Sequence, residues 1–142
     1  MGKVINRTGI KLKIQDQYIK YSYGGTYYKK TIEFSINLIS LYKELLRNNE
    51  YIISKQLMRA GTSIGANAQE ATSAQSRRDF ISKMSIAAKE AKETRYWLIV
   101  LSEGKLINFD YAKLLGDIDE IIKILSNIII TAKNNLNTKL KN

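Results

Sequence analysis

The sequence predicts an all-α protein: an antiparallel, up-down-up-down four-helix bundle preceded by a short non-bundle N-terminal extension. Apolar residues recur at three- and four-residue intervals through four successive stretches between Thr31 and Ala132. The connections between these stretches are short, which favours antiparallel neighbours. No Pro, no internal repeat and no linker composition divides the 142 residues, a length that suits one domain with a hydrophobic core.

Residues 1–30 stand apart and read as a basic extension, with the bundle domain over residues 31–142. The extension carries seven Lys/Arg against the single Asp16. It therefore holds +6 of the chain's net +10. Ile10, Leu12 and Ile14 alternate with Lys11 and Lys13, and Gly24-Gly25 separates two Tyr-containing runs. That pattern fits either a short hairpin or a loosely ordered segment that touches the bundle through its tyrosines.

Helix one is expected from Thr31 to Asn48, with Phe34, Leu38, Leu41 and Leu45 as its stripe. Ile32, Ile36, Ile39, Tyr42 and Leu46 widen that face, and a helix so broadly apolar usually buries two sides, the second against another subunit. Asn48-Asn49 is the stop signal. Helix two should begin at Tyr51 or Ser54 and run to about Ala71, with Leu57, Ala60, Gly61, Ile64, Ala68 and Ala71 facing inward. Each of its two Gly residues costs about 1 kcal/mol of helix propensity relative to Ala. The compensating gain expected is a tight helix contact.

Beside that inner face Gln56, Arg59, Ser63, Asn67 and Glu70 form a polar strip. Asn67 and Glu70 can fix register by bonding neighbouring helix ends or an Arg, or they can form a ligand or partner site. Ser76 and Asp79 resemble a capping box that starts helix three. Its core stripe is Phe80, Met84, Ala87, Ala91, Thr94, Leu98 and Leu101, with Trp97 alongside at a bundle edge or subunit interface. Arg78, Lys89, Lys92 and Arg95 share a sector of this helix, with Arg77 at its start and Glu90 and Glu93 nearby. Such a face is either simply solvated or a surface for phosphates. Gly104 reads as the helix stop and Asp110 as the next N-cap. Helix four follows from about Tyr111 to Ala132, on Leu114, Leu115, Ile118, Ile121, Ile122, Leu125, Ile128 and Ile129, with a Lys- and Asn-rich tail that continues and frays.

The chain has neither Cys nor His, which removes disulfides, thiolate nucleophiles, imidazole bases and the Glu-x-x-His ligands of di-iron bundles. No catalytic residue, metal site or cofactor is expected, and the chain reads as non-enzymatic. No signal peptide or membrane span is visible, so the expected location is cytoplasmic. The positive charge favours a polyanionic partner, RNA or DNA, although more than half of the net charge lies in the extension and a Lys-rich composition also follows from an AT-rich genome. A structural or protein-interaction scaffold is the alternative.

Three stretches add a resemblance. SIGANAQEA (Ser63–Ala71), SRRDF (Ser76–Phe80) and AAKEAKETRYWL (Ala87–Leu98) resemble, in content and order, the four-helix bundle family of 23S rRNA intervening-sequence proteins. The accessory variability determinant of diversity-generating retroelements is similar, and the match spans roughly residues 31–130. The resemblance implies a homopentameric barrel with no established enzymatic activity, and for the retroelement members a nucleic-acid and reverse-transcriptase partner held by a basic surface. On this chain the family's pattern falls on Ser63, Ile64, Asn67 and Glu70 and on Tyr96, Trp97 and Leu98. These read as determinants of the bundle and its assembly. Nucleic-acid binding is then expected from Arg77, Arg78, Lys89, Lys92 and Arg95.

Overall fold

The computed structural model describes residues 26–142, which form four helices: α1 (Thr26–Arg47), α2 (Ile53–Ala71), α3 (Arg77–Gly104) and α4 (Ala112–Lys141). Packing runs α1 to α2, α2 to α3, α3 to α4 and back from α4 to α1, the cyclic order of an antiparallel up-down-up-down bundle. The α2–α3 contact is the most extensive. No described helix is long and apolar enough to cross a membrane.

The predicted stripes form the core. Phe34, Leu38, Leu41 and Leu45 of α1 are fully buried, as are Leu57, Ala60 and Ile64 of α2. The buried residues of α3 are the seven expected ones, Thr94 included; its hydroxyl donates to the Glu90 carbonyl at 2.7 Å and so stays satisfied in an apolar surrounding. In α4 the inner line is Leu114, Ile118, Ile121, Leu125 and Ile128, while Leu115, Ile122 and Ile129 are partly buried against it.

The small residues of α2 have the use expected of them at one position above all. A Cβ placed on Gly61 would lie 2.1 Å from Leu38 Cδ1 and 3.6 Å from Thr94 Cγ2. Gly61 thus lets Leu38 of α1 close on α2, while Thr94 of α3 stands at ordinary contact distance. Gly65 has more room, its nearest neighbours being Thr31 Cβ and Oγ1 at 3.4 Å.

Two boundaries and the cap of α2 differ from the sequence expectation. Helix α1 begins at Thr26 instead of Thr31, because Tyr27, 3% exposed, already belongs to the core and Lys30 Nζ meets Glu120 Oε2 of α4 at 2.6 Å. The second arm of the proposed hairpin, Tyr27-Tyr28, is therefore helical, and the rest of the extension lies outside the described residues. Helix α3 runs through Gly104, and its left-handed C-cap is Lys105 (φ 52°). Helix α4 continues past Ala132 to Lys141, as the tail reading expected. At α2 the N-terminus is capped by Glu50, a residue the sequence reading passed over.

The α1–α2 turn explains that cap. Asn49 is left-handed (φ 60°), and the Glu50 and Asn49 N–H groups donate to the carbonyls of Leu45 (2.9 Å) and Leu46 (3.0 Å), a Schellman closure of α1. The turn leaves the Glu50 carboxylate in front of α2, where it accepts from the N–H groups of Ile52, Ile53 and Ser54 at 3.0, 2.8 and 2.6 Å. At α3 the expected cap forms: Ser76 Oγ accepts from Asp79 N–H at 3.1 Å, and Asp79 Oδ2 accepts from Gln75 N–H at 3.2 Å. At α4 the N-cap residue is Tyr111, not the expected Asp110, but Asp110 Oδ1 still accepts from the Ala112 N–H at 3.0 Å from one residue earlier.

Candidate functional site

Helix α3 organises the surface as well as the core. Its buried stripe fixes three sectors: one toward α2, one toward α4, and an outward line opposite the core. Charged residues sort among them by what they meet.

Toward α2, every acid is engaged. Arg59 donates through Nη1 to Glu90 Oε2 (3.4 Å) and through Nη2 to Glu93 Oε1. The Glu93 carboxylate also accepts from Trp97 Nε1–H at 3.3 Å. The Arg59 hydrogen bond, and then that from Trp97, hold the Glu93 carboxyl below the ordinary range. Further along, Lys83 Nζ pairs with Glu70 Oε2 at 3.2 Å. Glu70 thus ties α2 to α3 through a Lys, where an Arg or a helix end was the expected partner. Asn67 Nδ2 donates to the Ser63 carbonyl at 2.8 Å and Ser63 Oγ to the Arg59 carbonyl at 2.6 Å. These two bonds stay within α2, so the amide does not bridge helices as the register reading supposed: a side chain four residues on reaches its own backbone first.

Toward α4, Arg95 Nε donates to Asp119 Oδ1 at 2.6 Å. Arg95 is therefore separated from Arg78, Lys89 and Lys92 and neutralised. Arg77, half-buried at the start of the helix, lies on this same flank, about five turns before Arg95.

The outward line is different. Arg78, Lys89, Lys92 and Tyr96 project along it, at multiples of the helical repeat and opposite Phe80, Ala87, Ala91 and Leu98. All four are exposed. None of the three cations has an ion-pair partner among the described residues, whereas the Arg59, Lys83 and Arg95 charges on either side are cancelled. Five predicted cations resolve into three unpaired ones in a row, one at the helix start and one spent on a bundle ion pair. Helical spacing alone could have separated Arg95 from the line, since it stands about a quarter turn away from Tyr96.

Tyr96 and Trp97 meet edge to face, with ring centroids 5.0 Å apart and planes at 70°. Trp97 packs partly against the core, and Tyr96 stays 58% exposed. A second exposed surface lies on α1, where Ile32, Ile36 and Ile39 sit at the spacing of one helix face. The described residues contain no cluster of acidic side chains able to hold a metal ion. A shallow cavity of about 590 Å³ occupies the α3–α4 turn between Lys105 and Leu115.

Comparison with known proteins agrees with this architecture. The family model described as "23S rRNA-intervening sequence protein" matches residues 26–127. Among solved structures, a protein of unknown function from the S23 ribosomal protein family of Bacteroides thetaiotaomicron VPI-5482 is 48% identical, with a TM-score of 0.68; the match covers 71% of this chain and 95% of that one. None of the curated proteins matches.

Proposed function

The chain belongs to the 23S rRNA-intervening sequence protein family, and from that premise we propose that it is a non-enzymatic, cytoplasmic accessory protein that binds nucleic acid, RNA in the first place, through the outward line of α3. The observation that carries this reading is the row Arg78, Lys89 and Lys92, left without an ion pair among the described residues while the flanking Arg59, Lys83 and Arg95 charges are cancelled. Cations neutralised by internal carboxylates release no counterions when a phosphate arrives; unpaired ones do. The row reads no base edges, so the affinity it supplies is independent of sequence.

Three phosphate contacts make a weak site, and assembly strengthens it. The exposed Ile32, Ile36 and Ile39 of α1 support a homo-oligomer, a pentamer by the resemblance, in which each copy repeats the row. Multivalent engagement then raises overall affinity by orders of magnitude without any new contact.

The test is binding of RNA by the full chain as a function of salt. A single copy is expected to give a log–log slope of about −2, from roughly 0.7 per phosphate on a single strand, and an oligomer a steeper one. Reversing Arg78, Lys89 and Lys92 to Glu should abolish binding while leaving the fold intact. A flat salt dependence, or full binding by the reversed variant, would favour the scaffold reading, for which the α1 isoleucine face is the supporting observation.

A further inference from the structure

We infer that the nucleic acid taken by this surface is single-stranded, and that Tyr96 is its base-stacking platform. The inference rests on the nucleic-acid reading above and narrows it to a ligand class.

The row of cations ends on an aromatic ring. Lys92 precedes Tyr96 by one helical turn and Lys89 by two, so about 10 Å of α3 carries two ammonium groups and then a ring on one line. Lys92 and Lys89 can neutralise phosphates of a backbone running along the helix, and the next position offers a π-face. Ile99, the next exposed residue one turn on, widens the apolar ground around the ring.

Tyr96 is also held. Its edge-to-face partner Trp97 is packed against the core, and the indole N–H is bound to Glu93, which is gripped in turn by Arg59 of α2. An exposed tyrosine on a bare helix samples its rotamers freely; this one rests against a ring fixed from the other side. A platform ordered before binding loses little entropy when a base settles on it.

This arrangement discriminates between ligand forms. In a duplex the base faces are stacked on one another and only edges and phosphates are exposed, so a duplex can use Arg78, Lys89 and Lys92 but not the Tyr96 ring. A single strand uses both. Glu103, exposed two turns beyond Tyr96 on the same line, repels phosphate and ends the track there.

Trp97 is the only tryptophan in the chain, so its emission reports on the adjacent ring. The experiment titrates the full chain with a pyrimidine RNA of about a dozen nucleotides, with the same strand in duplex form, and with the DNA equivalent. The single strand is expected to bind tighter than the duplex and alone to change Trp97 emission. Tyr96→Ala should weaken single-strand binding about ten- to hundredfold, leave duplex binding within about twofold, and leave the salt slope unchanged because no charge is lost. Tyr96→Phe should restore the affinity. Stacking does not distinguish the sugar, so Tyr96→Ala is expected to weaken the RNA and DNA strands by a similar factor, and a loss confined to one of them would overturn stacking as the main contact. The inference also fails if Tyr96→Ala binds the single strand as well as the parent chain, or if its affinity falls only in step with its sedimentation mass, which would make Tyr96 an assembly residue. If no nucleic acid binds at low salt, the underlying proposal falls instead.

Discussion

Gly61 is the residue on which the α2 packing turns. Leu38 Cδ1 occupies the space its Cβ would need, and Leu38 is fully buried, so the leucine must repack within the core. Gly61→Ala is expected to destabilise the protein by about 1–2 kcal/mol, overpacking exceeding the propensity gain. Gly116→Ala, in α4 with nothing within 4 Å, should instead stabilise by up to about 1 kcal/mol. Urea unfolding of both variants measures the difference. Pairing Gly61→Ala with Leu38→Ala should cost less than the sum of the two, because the new methyl enters the vacated space.

Glu50 is the residue whose protonation matters most to a helix end. Burial opposes its charge, but the three N–H donors of Ile52, Ile53 and Ser54 outweigh that and lower its pKa. A lowered folded-state pKa means that this contribution is complete above the unfolded value of about 4.3 and is lost as pH falls through the folded value. Glu50→Gln should cost about 1 kcal/mol at pH 7. The deficit should shrink as pH falls from the unfolded carboxylate value of about 4.3 toward the lowered folded one, where the parent chain loses the same charge. Denaturation midpoints at the two pH values check this.

At the scale of elements, α3 was the most legible. Its whole core stripe and its N-cap could be read from spacing, since both depend on residues within the helix or one turn away. Its surface could not. Whether Arg95 faces phosphate or Asp119, and whether Glu93 is a free acid or a clamp on Trp97, depends on side chains 24 and 34 residues distant. Its end was missed for a local reason. Gly104 is the residue type that ordinarily takes the left-handed position, yet the helix keeps it and Lys105 takes that conformation. Lys105→Gly is therefore expected to raise stability by up to about 1 kcal/mol, read as a higher urea midpoint with unchanged slope. The start of α1 was misplaced because the basic charge and the Gly24-Gly25 pair outweighed a single turn that only Tyr27 burial and the Glu120 contact justify.

At the scale of the molecule, two surfaces of the described bundle carry the proposal: the cationic line of α3 and the isoleucine face of α1. They lie on different helices, so they can be separated by mutation. Ile36→Asp, at a position 56% exposed in one copy, is expected to lower the assembly mass in sedimentation while leaving helix content unchanged. RNA affinity should then fall as multivalency is lost, with the contacts of each copy intact. Trp97→Ala probes the edge of α3: an unchanged light-scattering mass would confine Trp97 to support of Tyr96.

What the sequence determined by itself is the bundle: four periodic faces, short connections and the absence of Pro left one economical way to bury the apolar stripes, and its local words pointed to the family. What only the tertiary structure decided is which charges are available. Periodicity places a residue on a face of its own helix, but the ion pairs that cancel Arg59, Lys83 and Arg95 form between helices. Their register is set by core contacts such as Gly61 against Leu38, where two chain segments far apart in sequence meet.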